Sequence, residues 1–480
     1  MGKLIGLIPA AGKGVRARPY TTLVPKGMLQ VDVRPNLERI IYLMRDALQI
    51  DEIYVTVGYL SAVIKAYFKD GSQLGVRLHY IDNTELDKGV AWLILLAGRQ
   101  LSAPCCVILS DECYIGSNHA QLRYFPYKEA IVACAAMKAE NTKLIRRNYS
   151  VRKIGNRILN LLEKPQILEN NLLGLGTFIL TPEFFPLLEE ACAQAPSGYV
   201  EFVTFIDSLC RNDPGGLCFE MEGSYFNIND RDSLNLARFY ERNRSFADNR
   251  IALLLYSEGG EENIDFTINR YRRNRAIDEV YVVLPHDNTI EHKVRASGAS
   301  VILCPLAVTL YGEKIRYGMD RMVGDILIQA EAEYTFAEHD INKLLEYLKE
   351  ADMVVGTRTT RQLIEQGSDM RGLVRIANIV LAKLIELLWW RREVRMSDVG
   401  CTFRAVWSSC YQETRDRLHG RGSELLAEMI IEIMYDRKRM IEVPVNYFNR
   451  SEAMNAKYRN RKTFLRILSM IAGKRLFRKW

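Results

Sequence analysis

The sequence lacks the residue groupings that mark a disulfide-rich, zinc-binding or haem-binding protein. Its 480 residues include ten cysteines, and no two of them have the two-residue spacing of a zinc or redox motif. No secretory signal is recognised at its start, so we expect free thiols in a reducing cytosol. The six histidines are scattered and form no metal-binding group.

Long apolar runs are also missing. No run of about 18 uncharged apolar residues exists, so no membrane-spanning helix is expected. The nearest candidate, residues 376–390, is interrupted by Asn378, Lys383 and Glu386, and it is interpreted as a buried or amphipathic helix. With 48% apolar and 26% charged residues, and only 14 prolines and 31 glycines, the composition is typical of a soluble globular protein. The length predicts two or three domains.

A net positive charge is missing outside one end of the chain. The net charge is +7, yet residues 451–480 carry nine Lys or Arg and a single acid, so the other 450 residues sum to −1. The basicity belongs to a tail rather than to the folded body. A nucleic-acid groove is therefore not expected, and nucleic acid is not predicted as a partner.

Short apolar runs alternate with helical patterns through the first half, for example at residues 52–57 and 61–68. This alternation predicts a mostly parallel sheet with helices on both faces. The polar, charged stretch 238–250 interrupts it, and strand patterns restart at residues 251–256 and 279–284. A restart after a charged linker indicates a second α/β domain.

We therefore predict the fold class α/β, with two Rossmann-like domains. The expected boundaries are residues 1–240 and 250–460, followed by a basic amphipathic tail at 461–480.

A glycine-rich loop follows the first strand. Gly12 and Gly14 have no side chain to block the approach of backbone N–H groups to phosphate oxygens. Arg16 and Lys26 place fixed cations just beyond the loop, where a triphosphate needs neutralising. Such a loop on its own is equally consistent with a plain turn.

Polar residues follow several later strands. Asp111 ends an apolar strand, at the edge where ligands bind in open parallel sheets. Glu163 and Lys164 follow another strand. Asn227 begins an Asn-Ile-Asn-Asp sequence whose side-chain oxygens suit Mg²⁺.

Together these residues resemble the sugar-1-phosphate nucleotidyltransferase family over residues 1–240. The resemblance implies that a sugar 1-phosphate and an NTP give an NDP-sugar and pyrophosphate. It implies Mg²⁺ at Asp111 and Asn227, and catalytic roles for Arg16, Lys26 and Lys164. It also implies substrate-binding roles for Gly12, Gly14, Gly89, Glu163, Gly176 and Glu201. The sequence departs from the family pattern at three positions, Val15, Ala17 and Asn227, where the family usually has Thr, Leu and Asp.

The second half contains three further motifs: Glu331-Ala332-Glu333, the sequence Ser-Asp-Val-Gly-Cys-Thr-Phe-Arg at residues 397–404, and Glu-Val-Pro-Val at residues 442–445. They resemble family-2 glycosyltransferases, especially the polyprenyl-phosphate sugar transferases, and imply an A-type glycosyltransferase fold. The resemblance implies Mg²⁺ or Mn²⁺ at Glu331 and Glu333. The substrate-binding residues it implies are Arg358, Asp398, Arg404 and Arg450. The paired aspartates that the family carries near residue 284 are missing, because this chain reads Leu-Pro-His-Asp there.

The basic tail suits an anionic membrane surface, or else forms a terminal helix packed on its own domain. The predicted function is NDP-sugar synthesis coupled to glycosyl transfer onto a lipid phosphate or glycan, with polyprenyl phosphate as the candidate acceptor. The expected location is the cytoplasm, at the inner face of the membrane. Two alternatives stay open: a non-catalytic nucleotide-sugar-binding scaffold or sensor, and a nucleotidyltransferase with an inactive second domain.

Overall fold

The computed structural model describes residues 4–18, 20–85, 87–195, 198–211, 214–364, 372–389, 395–436, 438–448 and 461–477. The chain divides into two compact units, Met1–Glu241 and Arg242–Trp480. Among the residues so described, no helix combines the length and the apolar character that crossing a lipid bilayer requires.

The first unit is built on a mixed sheet, which has nine strands within the described residues. In spatial order these are Arg77–Asp82, Glu52–Val57, Ile5–Ala10, Cys105–Ile108, Leu172–Leu180, Val132–Lys138, Gly216–Glu220, Arg157–Glu163 and Tyr149–Ile154. The first four run parallel to one another, whereas Leu172–Leu180 is antiparallel to both of its neighbours in this order. The parallel part was predicted; the antiparallel part was not, so the sheet is mixed rather than mostly parallel.

Helices cover both faces of this sheet. Its α-helices are Asn36–Tyr42, Ser61–Phe68, Gly89–Gly98, Thr142–Arg147, Phe184–Gln194, Phe202–Cys210 and Arg231–Ser245, the last continuing past Glu241. Every residue of the central strand Ile5–Ala10 is buried, which is the pattern of a strand covered on both faces. Two separate apolar clusters fill the two sides of the sheet.

A small two-stranded ribbon lies at the carboxyl edge of the sheet. Ser224–Asn227 pairs antiparallel with Glu112–Ile115, and the register sets Asn227 opposite Glu112. A second ribbon joins Gln30–Val31 to Arg34–Pro35. Because Glu112 directly follows Asp111, the first ribbon brings the sequence around Asn227 to the end of strand Cys105–Ile108.

The second unit has its own mixed sheet, with seven strands in its described part. Their spatial order is Ser300–Leu303, Glu279–Leu284, Ile251–Tyr256, Ile326–Glu331, Arg404–Trp407, Met353–Thr357 and Met440–Pro444. Arg404–Trp407 is antiparallel to both of its neighbours, and the other pairings are parallel. The α-helices in the described part of this unit are Ile264–Arg272, Glu291–Ala296, Tyr311–Met319, Asp340–Leu348, Leu373–Leu388, Ser408–Thr414, Glu424–Tyr435 and Arg461–Phe477.

Both units are α/β, as predicted, and several elements have the predicted bounds. Glu52–Val57, Ser61–Phe68 and Ile251–Tyr256 match to the residue. The division between the units, after Glu241, falls inside the expected linker 238–250, but the helix Arg231–Ser245 occupies most of that stretch. Its apolar positions Leu234 and Ala237 are buried, so a stretch dominated by charge still forms an amphipathic helix.

Candidate functional site

The glycine-rich loop leaves strand Ile5–Ala10 and turns sharply at Gly14. Gly14 has a φ of 58°, and a Cβ atom there would lie 3.0 Å from Cγ2 of Thr21. The Thr21 hydroxyl donates to the Gly14 carbonyl over 2.7 Å, which fixes the turn. A Cβ atom on Gly12 would meet no atom within 4 Å. The fold therefore requires glycine at Gly14, whereas the space beside Gly12 is open to a ligand.

This loop forms one wall of a first cavity of about 270 Å³. The opposite walls come from the end of strand Cys105–Ile108 and from the start of helix Gly89–Gly98. The residues that line it are Pro9, Ala10, Gly12, Gly14, Val15, Arg16, Lys26, Gly27, Val90, Leu93, Leu109, Ser110, Asp111 and Asn229. The predicted phosphate cations and the predicted metal ligand Asp111 therefore face one space.

Two cations in the lining of this cavity meet on Asn229, and one of them also pairs with a carboxylate. Lys26 Nζ lies 2.5 Å from Asp111 Oδ2 and 2.6 Å from Asn229 Oδ1. Arg16 also donates to Asn229 Oδ1, over 3.0 Å. The Lys26 and Asp111 side chains are only 15% and 22% exposed, so water screens their pairing weakly.

The network continues inward to a buried acid, Glu112. Asn229 Nδ2 donates to Asn227 Oδ1 over 2.5 Å, and Asn227 Nδ2 donates to Glu112 Oε1 over 3.2 Å. The Glu112 carboxyl also accepts from the hydroxyls of Tyr225 and Tyr114, at 2.8 and 2.9 Å. Burial, with the neighbouring Asp111 charge, raises the pKa of Glu112 to about 8. Glu112 therefore fixes the amide of Asn227 from the interior side.

A second cavity, of about 260 Å³, adjoins the first. Lys164 Nζ lies 2.7 Å from Glu163 Oε1, and this pairing raises the pKa of Lys164. Lys164 adopts a φ of 45°, and its backbone N–H donates to the Asn148 carbonyl over 2.7 Å. Glu201 caps helix Phe202–Cys210 by accepting from the backbone N–H of Thr204 over 2.7 Å. The wall thus offers carboxylates for hydroxyl groups and a cation for a phosphate.

The structure brings most of the predicted first-unit residues together. The second cavity is lined by these predicted residues: Arg16, Asp111, Glu163, Lys164, Gly176, Glu201 and Asn227. Arg16, Asp111 and Asn229 line both cavities. Gly89 is in neither lining; its φ is 78°, and a Cβ atom there would lie 2.7 Å from the ring of Tyr199, which does line the second cavity.

Sequence reasoning missed Glu112 and Arg147, which line the second cavity, and it named Asn229 only as part of the Asn-Ile-Asn-Asp sequence, with no role of its own. Asn229 stands two residues after Asn227 in the same turn, so its place beside a predicted ligand was a usable signal. Glu112 follows Asp111 directly, but only its pairing with Asn227 reveals that it points inward. Arg147 ends a short helix, Thr142–Arg147, and no pattern marked it.

In the second unit, Glu331 ends the strand Ile326–Glu331 and is fully buried. Its carboxylate accepts from the hydroxyls of Thr335 and Thr402, at 2.9 and 3.0 Å. Glu333, two residues on, is half-buried. The described residues include no group of three or more His, Cys, Asp or Glu that is placed to hold a metal ion. Metal binding by Glu331 and Glu333 stays a prediction.

Arg358 and Asp398 bind each other. Arg358 Nε lies 2.8 Å from Asp398 Oδ2, its Nη2 lies 2.9 Å from Oδ1, and both residues are buried. Burial opposes charge on Asp398, but the Arg358 guanidinium outweighs it and lowers the pKa of that carboxyl. The structure thus joins two predicted substrate-binding residues in a closed ion pair, and their substrate-binding roles stay predictions.

Arg404 lies in the core of the second unit with no exposed surface. It donates to the carbonyls of Cys401 and Leu426, and burial lowers its pKa to about 10. This burial argues against contact with an acceptor phosphate in this conformation, and the predicted role is untested. Arg450, the other residue predicted to hold that phosphate, lies outside the described residues.

The helix Arg461–Phe477 packs on the second unit. Ile467 and Ile471 are buried in its core. Lys474 Nζ lies 2.7 Å from Glu428 and 2.8 Å from Glu432, and both acids are fully buried. One of the basic residues of the tail is therefore used inside the fold, as the packed-helix alternative expects.

The first unit is similar in sequence to known nucleotidyl transferases. Residues 5–234 match the family model of nucleotidyl transferases. A UTP–glucose-1-phosphate uridylyltransferase, AglF of Haloferax volcanii, is 28% identical over 43% of this chain and 83% of its own length. Another, from Pseudomonas aeruginosa, is 28% identical over 46% of this chain and 89% of its own length.

Bifunctional protein GlmU of Methanococcus maripaludis is 29% identical over 43% of this chain. The chain spans about half the length of that relative, 47%. A solved structure of UDP-glucose pyrophosphorylase complexed with UDP-glucose aligns over 51% of this chain and all of its own, with 19% identity and a TM-score of 0.45. On the family match and the sequence relatives, the N-terminal half of the chain contains a domain similar to nucleotidyl transferases.

Proposed function

We propose that the first unit joins a sugar 1-phosphate to a nucleoside triphosphate and releases pyrophosphate. The observation that carries this proposal is the pair of adjoining cavities that share Arg16, Asp111 and Asn229. One cavity has the glycine loop and two cations, which suits a triphosphate. The other has Glu163, Lys164 and Glu201, which suit a sugar phosphate.

In the proposed reaction, an oxygen of the sugar phosphate attacks the α-phosphorus in line. A new O–P bond forms, the bond from the α-phosphorus to the bridging oxygen breaks, and pyrophosphate leaves with that electron pair. No base is needed because the attacking phosphate is already an anion. Positioning and charge neutralisation then supply the catalysis: Lys164 holds the incoming phosphate, and Arg16 and Lys26 take the charge that develops on pyrophosphate.

Asp111 at the shared wall and Asn227 in the lining of the second cavity fit Mg²⁺. Magnesium in such sites takes one or two carboxylates, and the remaining positions go to water and substrate phosphates. Asp111 is partly exposed at this wall, and the amide of Asn227 has its orientation fixed by Glu112 and Asn229. We propose that Asp111 and Asn227 hold the ion. When bound, it neutralises phosphate oxygens.

The first substrates to test are UTP and glucose 1-phosphate, because two of the relatives are named uridylyltransferases for that sugar phosphate. The assay follows pyrophosphate release, with all four NTPs and several sugar 1-phosphates. Lys26→Met and Asp111→Asn should each lower turnover by at least about a hundredfold, since each removes charge stabilisation of the transition state. Wild-type turnover that survives both substitutions would overturn the assignment.

A matched control is the exposed ion pair of Lys65 and Asp82, at 2.7 Å, in the same unit and in neither cavity lining. Lys65→Met and Asp82→Asn make the same chemical changes away from the site. Both should leave turnover within about twofold, because exposed pairs contribute little.

We further propose that the second unit transfers the sugar of the NDP-sugar to a lipid phosphate such as polyprenyl phosphate: an oxygen of that phosphate bonds to the sugar, the bond from the sugar to NDP breaks, and NDP leaves with the electron pair. Glu331, at the end of a central strand, supports this, and so does the basic tail. The test incubates the protein with radiolabelled sugar 1-phosphate, NTP, Mg²⁺ or Mn²⁺, and polyprenyl phosphate in liposomes. Lipid-extractable label that a Glu331→Gln, Glu333→Gln double variant abolishes supports transfer. Label that is found only in NDP-sugar, whichever acceptor is supplied, favours one of the two alternatives: a nucleotide-sugar-binding scaffold, or a nucleotidyltransferase with an inactive second domain.

An exposed apolar stripe supports membrane contact by this unit. Ile376, Val380 and Leu387 lie on one face of helix Leu373–Leu388 and are 56%, 52% and 62% exposed. Apolar side chains beside a basic segment suit an anionic lipid surface. Flotation with phosphatidylglycerol vesicles should recover the protein, and serine at all three positions should reduce recovery. Serine at the exposed Phe266 of the same unit is the control. Equal recovery of wild type and triple variant contradicts the proposal.

A further inference from the structure

Asn229 lies in the turn between strand Ser224–Asn227 and helix Arg231–Ser245, and its place is fixed by that helix. The side chain of Asp230 accepts from the backbone N–H of Ser233 over 2.9 Å. The Ser233 hydroxyl in turn accepts from the backbone N–H of Asn229 over 3.2 Å. The backbone of Asn229 is therefore anchored on a regular element, which sets where its side chain begins.

The one carbonyl oxygen of this side chain accepts from two cations that come from different parts of the chain. Lys26 Nζ is 2.6 Å away and Arg16 Nη2 is 3.0 Å away. Two like charges repel each other, so they stay close only where an acceptor holds both. On its other side the amide donates to Asn227 Oδ1 over 2.5 Å. Asn229 thus joins both phosphate cations to the amide of Asn227.

The residue type matters as much as the place. An asparagine amide is neutral, so it aligns Arg16 and Lys26 without cancelling the positive charge that a triphosphate needs. A carboxylate in its place would hold the cations but reduce their net charge. An alanine in its place would leave the positive charge of Arg16 and Lys26 intact but would remove the acceptor that aligns them. Preorganised donors of this kind stabilise anions without reorganisation when the ligand binds.

We propose that Asn229 is a positioning residue that aligns Arg16, Lys26 and Asn227 for the triphosphate of the nucleotide. This inference rests on the proposed function of the first unit. Alignment and charge alone predict changes of opposite sign in the phosphate affinity of an Asn229→Ala variant. If charge alone governed binding, Asn229→Ala would leave phosphate affinity unchanged or improve it, because the charges of Arg16 and Lys26 stay and Lys26 keeps only its pairing with Asp111. If alignment governs binding, the same change weakens it.

The first experiment titrates inorganic tripolyphosphate into the full-length protein by calorimetry, in EDTA and at fixed sodium concentration. Asn229→Ala should weaken binding by at least about tenfold, the scale of one lost hydrogen bond to a charged group. Asn229→Ser keeps a polar, turn-compatible side chain that is too short to reach both cations, and it should show the same loss. Asn118→Ala is the control, since Asn118 makes three hydrogen bonds in the same unit and is in neither cavity lining.

The second experiment measures steady-state kinetics of the same variants. The KM for NTP should rise at least tenfold in Asn229→Ala, whereas the KM for sugar 1-phosphate stays within about twofold, a split that general loss of structure would not give. Wild-type tripolyphosphate affinity in both Asn229→Ala and Asn229→Ser overturns the inference. A wild-type protein that makes no NDP-sugar yet shows the tripolyphosphate loss in both variants overturns the proposed function alone.

Discussion

The carboxyl group of Glu112 fills the space beside Gly176. A Cβ atom on Gly176 would lie 2.6 Å from the Glu112 carboxyl carbon, and the Gly176 N–H donates to that carboxyl over 3.0 Å. Gly176 was predicted to bind substrate. The absence of a side chain at Gly176 also leaves room for Glu112, which orients Asn227.

Gly176→Ala should therefore displace Glu112 and disturb Asn227. We expect the free energy of unfolding to fall by about 1–3 kcal/mol, the range for overpacked cores, and turnover to fall with it. Gly12→Ala is the matched comparison, because a Cβ atom there meets nothing within 4 Å. It should keep wild-type stability within about 0.5 kcal/mol and raise only the KM for NTP. Urea unfolding and pyrophosphate release measure both; equal stability loss in the two variants contradicts this account.

Lys164 occupies a left-handed backbone conformation, with φ at 45°, at the edge of the second cavity. Such residues store strain of about 1–3 kcal/mol. In Lys164→Gly the relief of strain offsets the added freedom of the unfolded chain, so stability should change by less than about 1 kcal/mol. Turnover should fall at least about a hundredfold because the cation for the incoming phosphate is gone.

Lys69 provides the control for that prediction. It is an exposed lysine with φ at 50° that ends helix Ser61–Phe68. Lys69→Gly makes the same change at a similar backbone angle, and it should leave turnover intact. Thermal unfolding and pyrophosphate release on both variants check the pair. Loss of turnover in both would show that a lysine at positive φ matters for folding rather than for chemistry.

Much of the fold could be predicted from local sequence patterns. Glu52–Val57 and Ser61–Phe68 were predicted to the residue, because alternation and helical spacing are local properties of the chain. The glycine loop and Lys26 were also recognised locally. The role of Glu112 and the contacts of Asn229 with Arg16 and Lys26 were not, because they depend on pairings between residues more than 100 positions apart. No sequence window contains both partners of such a contact.

The basic tail was also left undecided because its contacts join residues that are far apart in the sequence. Its basic residues predicted a membrane surface or a packed helix, and the sequence could not choose between them. The choice at Lys474 depends on Glu428 and Glu432, two acids on the buried helix Glu424–Tyr435. Their burial follows from the packing of the whole unit, and composition does not report it.

Lys474→Met should destabilise the second unit strongly. It leaves Glu428 and Glu432 buried without this partner, and removing one member of a buried ion pair costs about 3–5 kcal/mol. Arg466→Ala, at an exposed position of the same helix, should cost less than about 0.5 kcal/mol. Four of the five tryptophans, at positions 389, 390, 407 and 480, belong to this unit, so tryptophan fluorescence in urea reports its unfolding. A Lys474→Met midpoint equal to that of Arg466→Ala would contradict this account.

The stability of the second unit should also depend on pH through Glu442. Burial raises the pKa of this acid from 4.5 to about 7, against the hydrogen bonds donated by Ser397 and the backbone of Asp398. Because the folded state favours the protonated form, the stabilising contribution is complete below pH 4.5 and is lost as pH rises through 7. The full change amounts to about 3 kcal/mol.

Glu442→Gln removes this titration while keeping the shape of the side chain. Measured relative to wild type, the free energy of unfolding of the variant should therefore rise by about 2–3 kcal/mol between pH 5 and pH 8. At pH 5 the variant should be less stable than wild type, because the glutamine replaces an acceptor oxygen by an NH₂ group that faces other hydrogen-bond donors. Urea unfolding followed by tryptophan fluorescence at half-unit pH steps measures the difference, and subtracting the two curves cancels every other titrating group. A difference that stays constant from pH 5 to pH 8 would show that Glu442 is already charged at pH 5 in the folded protein.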